Sequence, residues 1–147
     1  MSIAAAIAYQ LLNTSAVSAI VSDRIRPLHQ EQDLDAPYIV YYLTRAPEHQ
    51  ISGAAVGLST AELTIECYAD SEDAYADVRA LADAVRGTLD GLRGNVGSPA
   101  VAVRTCVMTS DADSAQPPID GNGRGTFIVA QLYEIGFHET APTPSPQ

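Results

Sequence analysis

Residues Ser59–Gly91 read STAELTIECYADSEDAYADVRALADAVRGTLDG, and a change of period inside them decides the fold. The first part alternates. Leu63, Ile65 and Cys67 fall on one side, and Glu62, Thr64, Glu66 and Tyr68 on the other. Successive side chains of a strand point to opposite faces, so this is a half-buried strand. From Ser71 the spacing becomes three and four. Ala74, Val78, Leu81, Ala82, Val85 and Leu89 then form one helical stripe. Asp70 or Ser71 is placed to cap that helix. Glu72, Asp73 and Asp77 lie near its positive end, and Arg86 and Arg93 near or past its negative end. Gly91 is a stop. The unit predicted is a strand turning directly into a helix that covers the same sheet face.

Working outward, residues 3–12 predict an N-terminal helix with Ile3, Ala4, Ile7, Ala8, Leu11 and Leu12 on one face. Asn13–Ser15 breaks or bends it, and Ala16–Val21 adds a turn or two. Pro27 cannot continue a helix and restricts the residue before it. Leu28–Asp35 reads as a loop and Tyr38–Arg45 as a strand. Ala46–Leu58, with Pro47, Gly53 and Gly57, reads as a mobile connection. Gly94, Gly97 and Pro99 break the chain after the helix. Ala100–Thr109 alternates weakly, as a third strand. Ser110–Gly125, SDADSAQPPIDGNGRG, reads as a loop. Thr126–His138 is a long fourth strand with Phe127, Val129, Gln131, Tyr133, Ile135 and Phe137 on one face. The expected order is αββαββ, and the fold class α+β. Its mostly antiparallel four-stranded sheet carries helices packed on one face. One domain spans residues 1–138, followed by a disordered tail over residues 139–147. The apolar N-terminus lacks a basic leader and is interrupted by Gln10, Asn13 and Thr14, so neither a signal peptide nor a spanning helix is expected.

The chain has 147 residues, 46% of them hydrophobic, and a formal net charge of −10 with no lysine. That balance argues against wrapping nucleic acid, which requires phosphate neutralisation, and against an anionic membrane surface. Cys67 and Cys106 sit in expected strands and read as free buried thiols. With His29, His49 and His138 scattered, they cannot make a structural zinc site. Asp111, Asp113, Asp120 and Asn122 miss the calcium-loop spacing. Gly121, Gly123 and Gly125 precede a strand, whereas a phosphate cradle requires a helix. Glu62 and Glu66 share a strand face but read as solvated carboxylates rather than a catalytic pair. Nothing brings a histidine to Cys106. Tyr38, Tyr41 and Tyr42 read as packing residues rather than a base-stacking platform, and Arg24 as the partner of Asp23 or another carboxylate. No acid, base or nucleophile converges, so no enzyme, cofactor or metal is expected.

Several features recur in a fixed order: the apolar helix, Asp23-Arg24-Ile25 with Pro27, then Ala36-Pro37-Tyr38-Ile39-Val40-Tyr41. Ser52-Gly53 and Glu66-Cys67-Tyr68-Ala69-Asp70 follow, then the helix bearing Ala74, Leu81, Val85 and Leu89, and a final strand ending near Phe137. Over residues 3–138 this pattern resembles the tail-completion, or tail-terminator, proteins of long-tailed bacteriophages and gene-transfer particles. Tyr68 stands where such proteins often carry tryptophan, and Ser110–Gly125 has no counterpart. The resemblance implies a virion protein made in the host bacterial cytoplasm. It forms a ring, usually a hexamer, at the head-proximal end of the tail tube. The ring ends tube polymerisation and meets the head connector, while DNA passes through without specific binding. Partners implied are copies of the chain, tail tube protein and connector proteins, with no membrane. The contact residues expected are Arg45, Glu48 and His49, the Glu62–Glu66 face, and Asp111, Asp113, Asp120 and Arg124. The alternative is a small ligand-binding or regulatory module with a permuted ferredoxin-like fold.

Overall fold

Three helices pack on a mixed six-stranded sheet in a computed structural model that describes residues 2–28, 35–49, 57–117 and 125–138. Helix α1 (Ile3–Leu12) starts at Ser2, whose hydroxyl accepts from the Ala5 N–H at 3.1 Å. It buries Ile3, Ala6, Ile7, Ala8 and Leu11. The chain bends by 83° before α2 (Ser15–Val21), and no single described helix is long and apolar enough to cross a membrane. Helix α3 (Ala74–Leu89) buries the stripe read from the sequence: Ala74, Val78, Leu81, Ala82, Val85 and Leu89. Its cap differs from expectation. Asp73 occupies the position with no side-chain bond, and the Ser71 hydroxyl turns instead to the Asp77 carboxylate. The stop is at Gly91, whose φ of 87° is left-handed and whose N–H reaches the Cys106 carbonyl at 2.7 Å.

The expected four-stranded, mostly antiparallel sheet is wrong. The strands are β1 (Ile25–Pro27), β2 (Tyr38–His49), β3 (Leu58–Ala69), β4 (Gly94–Val96), β5 (Val101–Gln116) and β6 (Thr126–His138). Their order across the sheet is β1-β2-β3-β6-β5-β4. The β1–β2 pair is parallel and the others are antiparallel. The two three-residue edge strands read as breakers in the sequence because they contain Pro27 and Gly94. An edge strand tolerates both, since it pairs on one side only. The α+β class holds, but αββαββ becomes ααβββαβββ, and the permuted ferredoxin-like arrangement loses its four-stranded basis.

Register explains the other corrections. β2 runs past Arg45 to His49, so part of the expected Ala46–Leu58 connection is strand; residues 50–56 lie outside the described residues. β5 continues through Ser110–Gln116, which pairs with Leu132–Thr126 of β6. Bulges at Arg104 and Thr109, where two residues of β5 oppose one of β6, reset its period. The polar run beyond Thr109 therefore lacks the alternation that identifies a strand. Residues 139–147, expected to be disordered, also lie outside the described residues.

The helices cover the face bearing Ala61, Leu63, Ile65 and Cys67 of β3 with Val129, Gln131, Tyr133 and Ile135 of β6, all fully buried. Burying these side chains contributes about 1.5–3 kcal/mol for each large aliphatic one. Cys67 and Cys106 are both buried and free; β6 lies between their strands. Burial pushes both thiols up, Cys106 to about 12, so neither is poised as a nucleophile.

Candidate assembly interface

The opposite sheet face carries the residues that period two assigned outward. Glu62 of β3 lies directly across from Glu134 of β6, and Glu66 across from Ala130. Like charges facing each other on neighbouring strands repel. One cation answers them. A bulge at Thr44 lets Arg45 pair with Glu62 rather than continue on the helix side. Its guanidinium approaches Glu134 at 3.9 Å, while its Nε is enclosed with no acceptor among the described residues. An enclosed donor left unmade costs about 1–3 kcal/mol. A second shift brings Glu48 opposite Thr60, and His49 ends β2 opposite Ser59.

At the other end of this face Tyr38 stacks on Tyr68, with ring centroids 4.6 Å apart and planes 9° from parallel. Burial, then the Glu66 carboxylate, raises the Tyr68 phenol well above its usual range. Burial also raises Tyr38, with Asp70 and Glu66 adding to it. The Tyr68 hydroxyl stays protonated and donates to the Glu66 carboxylate at 3.4 Å. Tyr41 turns toward the core, so the three tyrosines of β2 do not form one platform.

A second cluster ties the β5–β6 hairpin to α3. Arg79 donates to Asp111 at 2.8 Å and to Asp113 at 3.0 Å. Gln131, fully buried, donates to the Ala82 carbonyl at 3.1 Å and to Asp111 at 3.2 Å, and accepts from the Tyr133 hydroxyl at 2.8 Å. Tyr75 donates to Asp113 at 2.9 Å and meets Phe127 edge-on. The hydrogen bond from Arg79 holds the Asp111 carboxyl below its usual range. Of the expected contact residues, Asp111 and Asp113 are therefore engaged within the chain, holding the hairpin at a fixed angle. Asp120 and Arg124 lie outside the described residues. No group of three or more metal-binding side chains occurs among the described residues. Arg24 donates to the Pro37 and Ile20 carbonyls rather than to a carboxylate.

A family model described as "Tail completion protein gp17" matches residues 5–120, most of the chain. The protein belongs to the tail completion family. The match includes α1 to α3 and β1 to β5, hence the Glu62–Glu66 strand and, of the second cluster, Tyr75, Arg79, Asp111 and Asp113. No curated protein matches the sequence. A solved chain titled "Virion of native gene transfer agent (GTA) particle" overlays with a TM-score of 0.71. It covers 94% of this chain and 96% of that one at 14% identity, a likeness of fold. Another solved chain overlays at a TM-score of 0.48 and 14% identity, too loosely to carry an argument. As a member of that family, the tail completion protein is a structural part of a phage-type tail. Sequence reading passed over Glu134, Arg79 and Gln131 as site residues. Glu134 sits on the even face of β6 and was visible by alternation; the pairing of Arg79 with Asp111, 32 residues apart, had no sequence signal.

Proposed function

We propose that this tail completion protein closes the head-proximal end of the tail tube as a ring. The ring ends tube polymerisation and joins the tail to the head connector while DNA passes through its lumen. Its partners are copies of itself, tail tube protein and connector proteins. The family match over residues 5–120 carries this reading. The charge supports it: a chain of net −10 repels a phosphate backbone and leaves DNA mobile. The carboxylate face with its incomplete Arg45, and a hairpin fixed to α3, supply surfaces for subunit and tube contacts. A ring joins a patch on one copy to a different patch on the next. Deleting the gene and imaging the particles tests the reading. Tails of uncontrolled length, or heads without joined tails, are expected. Normal particles refute it.

A further inference from the structure

Each end of β3 borders a groove, and the two grooves differ in the charges that line them. Arg79 and Arg86 face carboxylates in ion pairs, Arg45 approaches Glu134, and Arg24 and Arg26 bond backbone carbonyls. Arg93 and Arg104 have no such partner among the described residues. Both line one groove of about 560 Å³ with His138, over a floor that includes Leu58, Cys106 and Val107. Val107 is 52% exposed there, a large apolar side chain left open to solvent. Arg104 is the extra residue of a β5 bulge, and Arg93 follows the stop of α3. Neither charge is required by the local fold.

The opposite end of β3 is acidic. A smaller groove of about 230 Å³ lies between Ile20, Pro37, Asp70, Ser71 and Asp77. Asp70 and Asp77 are exposed and make no ion pair among the described residues. Leu58, at the cationic groove, and Ala69, at the acidic corner, are the two ends of β3. Twelve residues of strand separate them by roughly 36 Å. One copy cannot bring its own corner to its own groove.

We propose that the Arg93–Arg104 groove is the docking site for the Asp70–Asp77 corner of a second copy of this chain. The contact is heterologous, so it propagates from copy to copy, and it rests on the ring reading above. Complementary charge fixes the direction in which copies join, and like charge rejects the reversed arrangement. The apolar floor supplies the area that exposed ion pairs do not.

Charge exchange tests it. One variant carries Arg93→Glu and Arg104→Glu; the other carries Asp70→Arg and Asp77→Arg. Each is supplied to cells lacking the wild-type gene, with circular dichroism of the purified variants reporting folding. Each alone presents like charge at every contact, and a loss of joined particles of at least about tenfold is expected. Supplied together they alternate, every contact again joins opposite charges, and yield returns. All four substitutions in one chain also restore it. A disulfide between Arg104→Cys and Asp70→Cys, seen as a ladder of linked copies from purified particles, reports the contact directly. Two folded single variants that assemble like wild type overturn the proposal. So does failure of both the mixture and the four-fold variant. Either result leaves the deletion phenotype, and with it the ring reading, untouched.

Discussion

Replacing Arg79 by alanine removes the cation that hydrogen-bonds α3 to Asp111 and Asp113 of β5, and its cost follows from the environment. The Arg79 side chain is 29% exposed and that of Asp111 19%, so this pair is more enclosed than a surface pair. Asp113 at 44% and Asp83 at 71% add little. An exposed pair contributes about 0.2–1 kcal/mol. Removing one partner of a fully buried pair costs about 3–5 kcal/mol. Gln131 remains as a donor to Asp111 and limits the loss. Arg79→Ala is therefore expected to cost about 2 kcal/mol, lowering Tm by about 4–8 °C in a domain of this size. Urea unfolding measures the total, and hydrogen exchange locates it: β5 beyond Thr109 opens while β3 stays protected. A double-mutant cycle with Asp111→Ala isolates the pair. The pH dependence has a definite sign. Asp111 titrates lower in the folded chain than unfolded. Its contribution is present above the unfolded value of about 3.9 and is lost as pH falls through the lower folded value. Wild type should show that loss below about pH 4, and Arg79→Ala a flatter profile there. A cost under about 0.5 kcal/mol, the size of an ordinary surface change, or unaltered exchange in β5, refutes the clamp.

Leu81 is fully buried on the α3 stripe, so Leu81→Asp leaves an unpaired charge in the core and should abolish the folded circular dichroism signal. Leu81→Ala should cost about 2–5 kcal/mol in urea. Gly136 faces the β5 bulge: an added Cβ would lie 2.6 Å from the Thr105 hydroxyl oxygen, which also accepts the Gly136 N–H at 3.1 Å. Gly136→Ala should cost about 1–3 kcal/mol, and Thr105→Ala in the same chain should recover part of it by removing the obstructing atom. A neutral Gly136→Ala means the bulge yields more easily than its geometry indicates.

What was legible in the sequence is what period alone determines. The Leu63-Ile65-Cys67 face, the α3 stripe and the β6 alternation each stand on unbroken spacing, and each is buried as read. Glu62 and Glu66 were visible as neighbours for the same reason. The failures share a different cause: pairing to another strand, which the spacing within a segment does not reveal. Ile25–Pro27 becomes a strand because Ile39–Tyr41 offers it a parallel edge. Gly94–Val96 becomes one because Val101–Val103 folds back on it. Ser110–Gln116 is ordered by β6 despite its polarity.

The bulges account for where several buried and charged side chains stand. Without the extra residue at Thr44, period two would turn Arg45 toward the helix side of the sheet. The bulge places it among Glu62 and Glu134 instead. Without the one at Thr109, Asp111 would point away from α3; the bulge brings it to Arg79 and Gln131. The one at Arg104 leaves that charge outward, as alternation from the buried Val103 already has it, and brings Cys106 to the helix side opposite Ile135. Bulges re-aim side chains at some loss of ladder regularity. In this sheet the bulges at Thr44 and Thr109 each place a charged group where a uniform strand would not, whereas the one at Arg104 turns Cys106 into the core. The interruptions that obscure the strands in the sequence are thus the same features that decide which side of the sheet Arg45, Asp111 and Cys106 take.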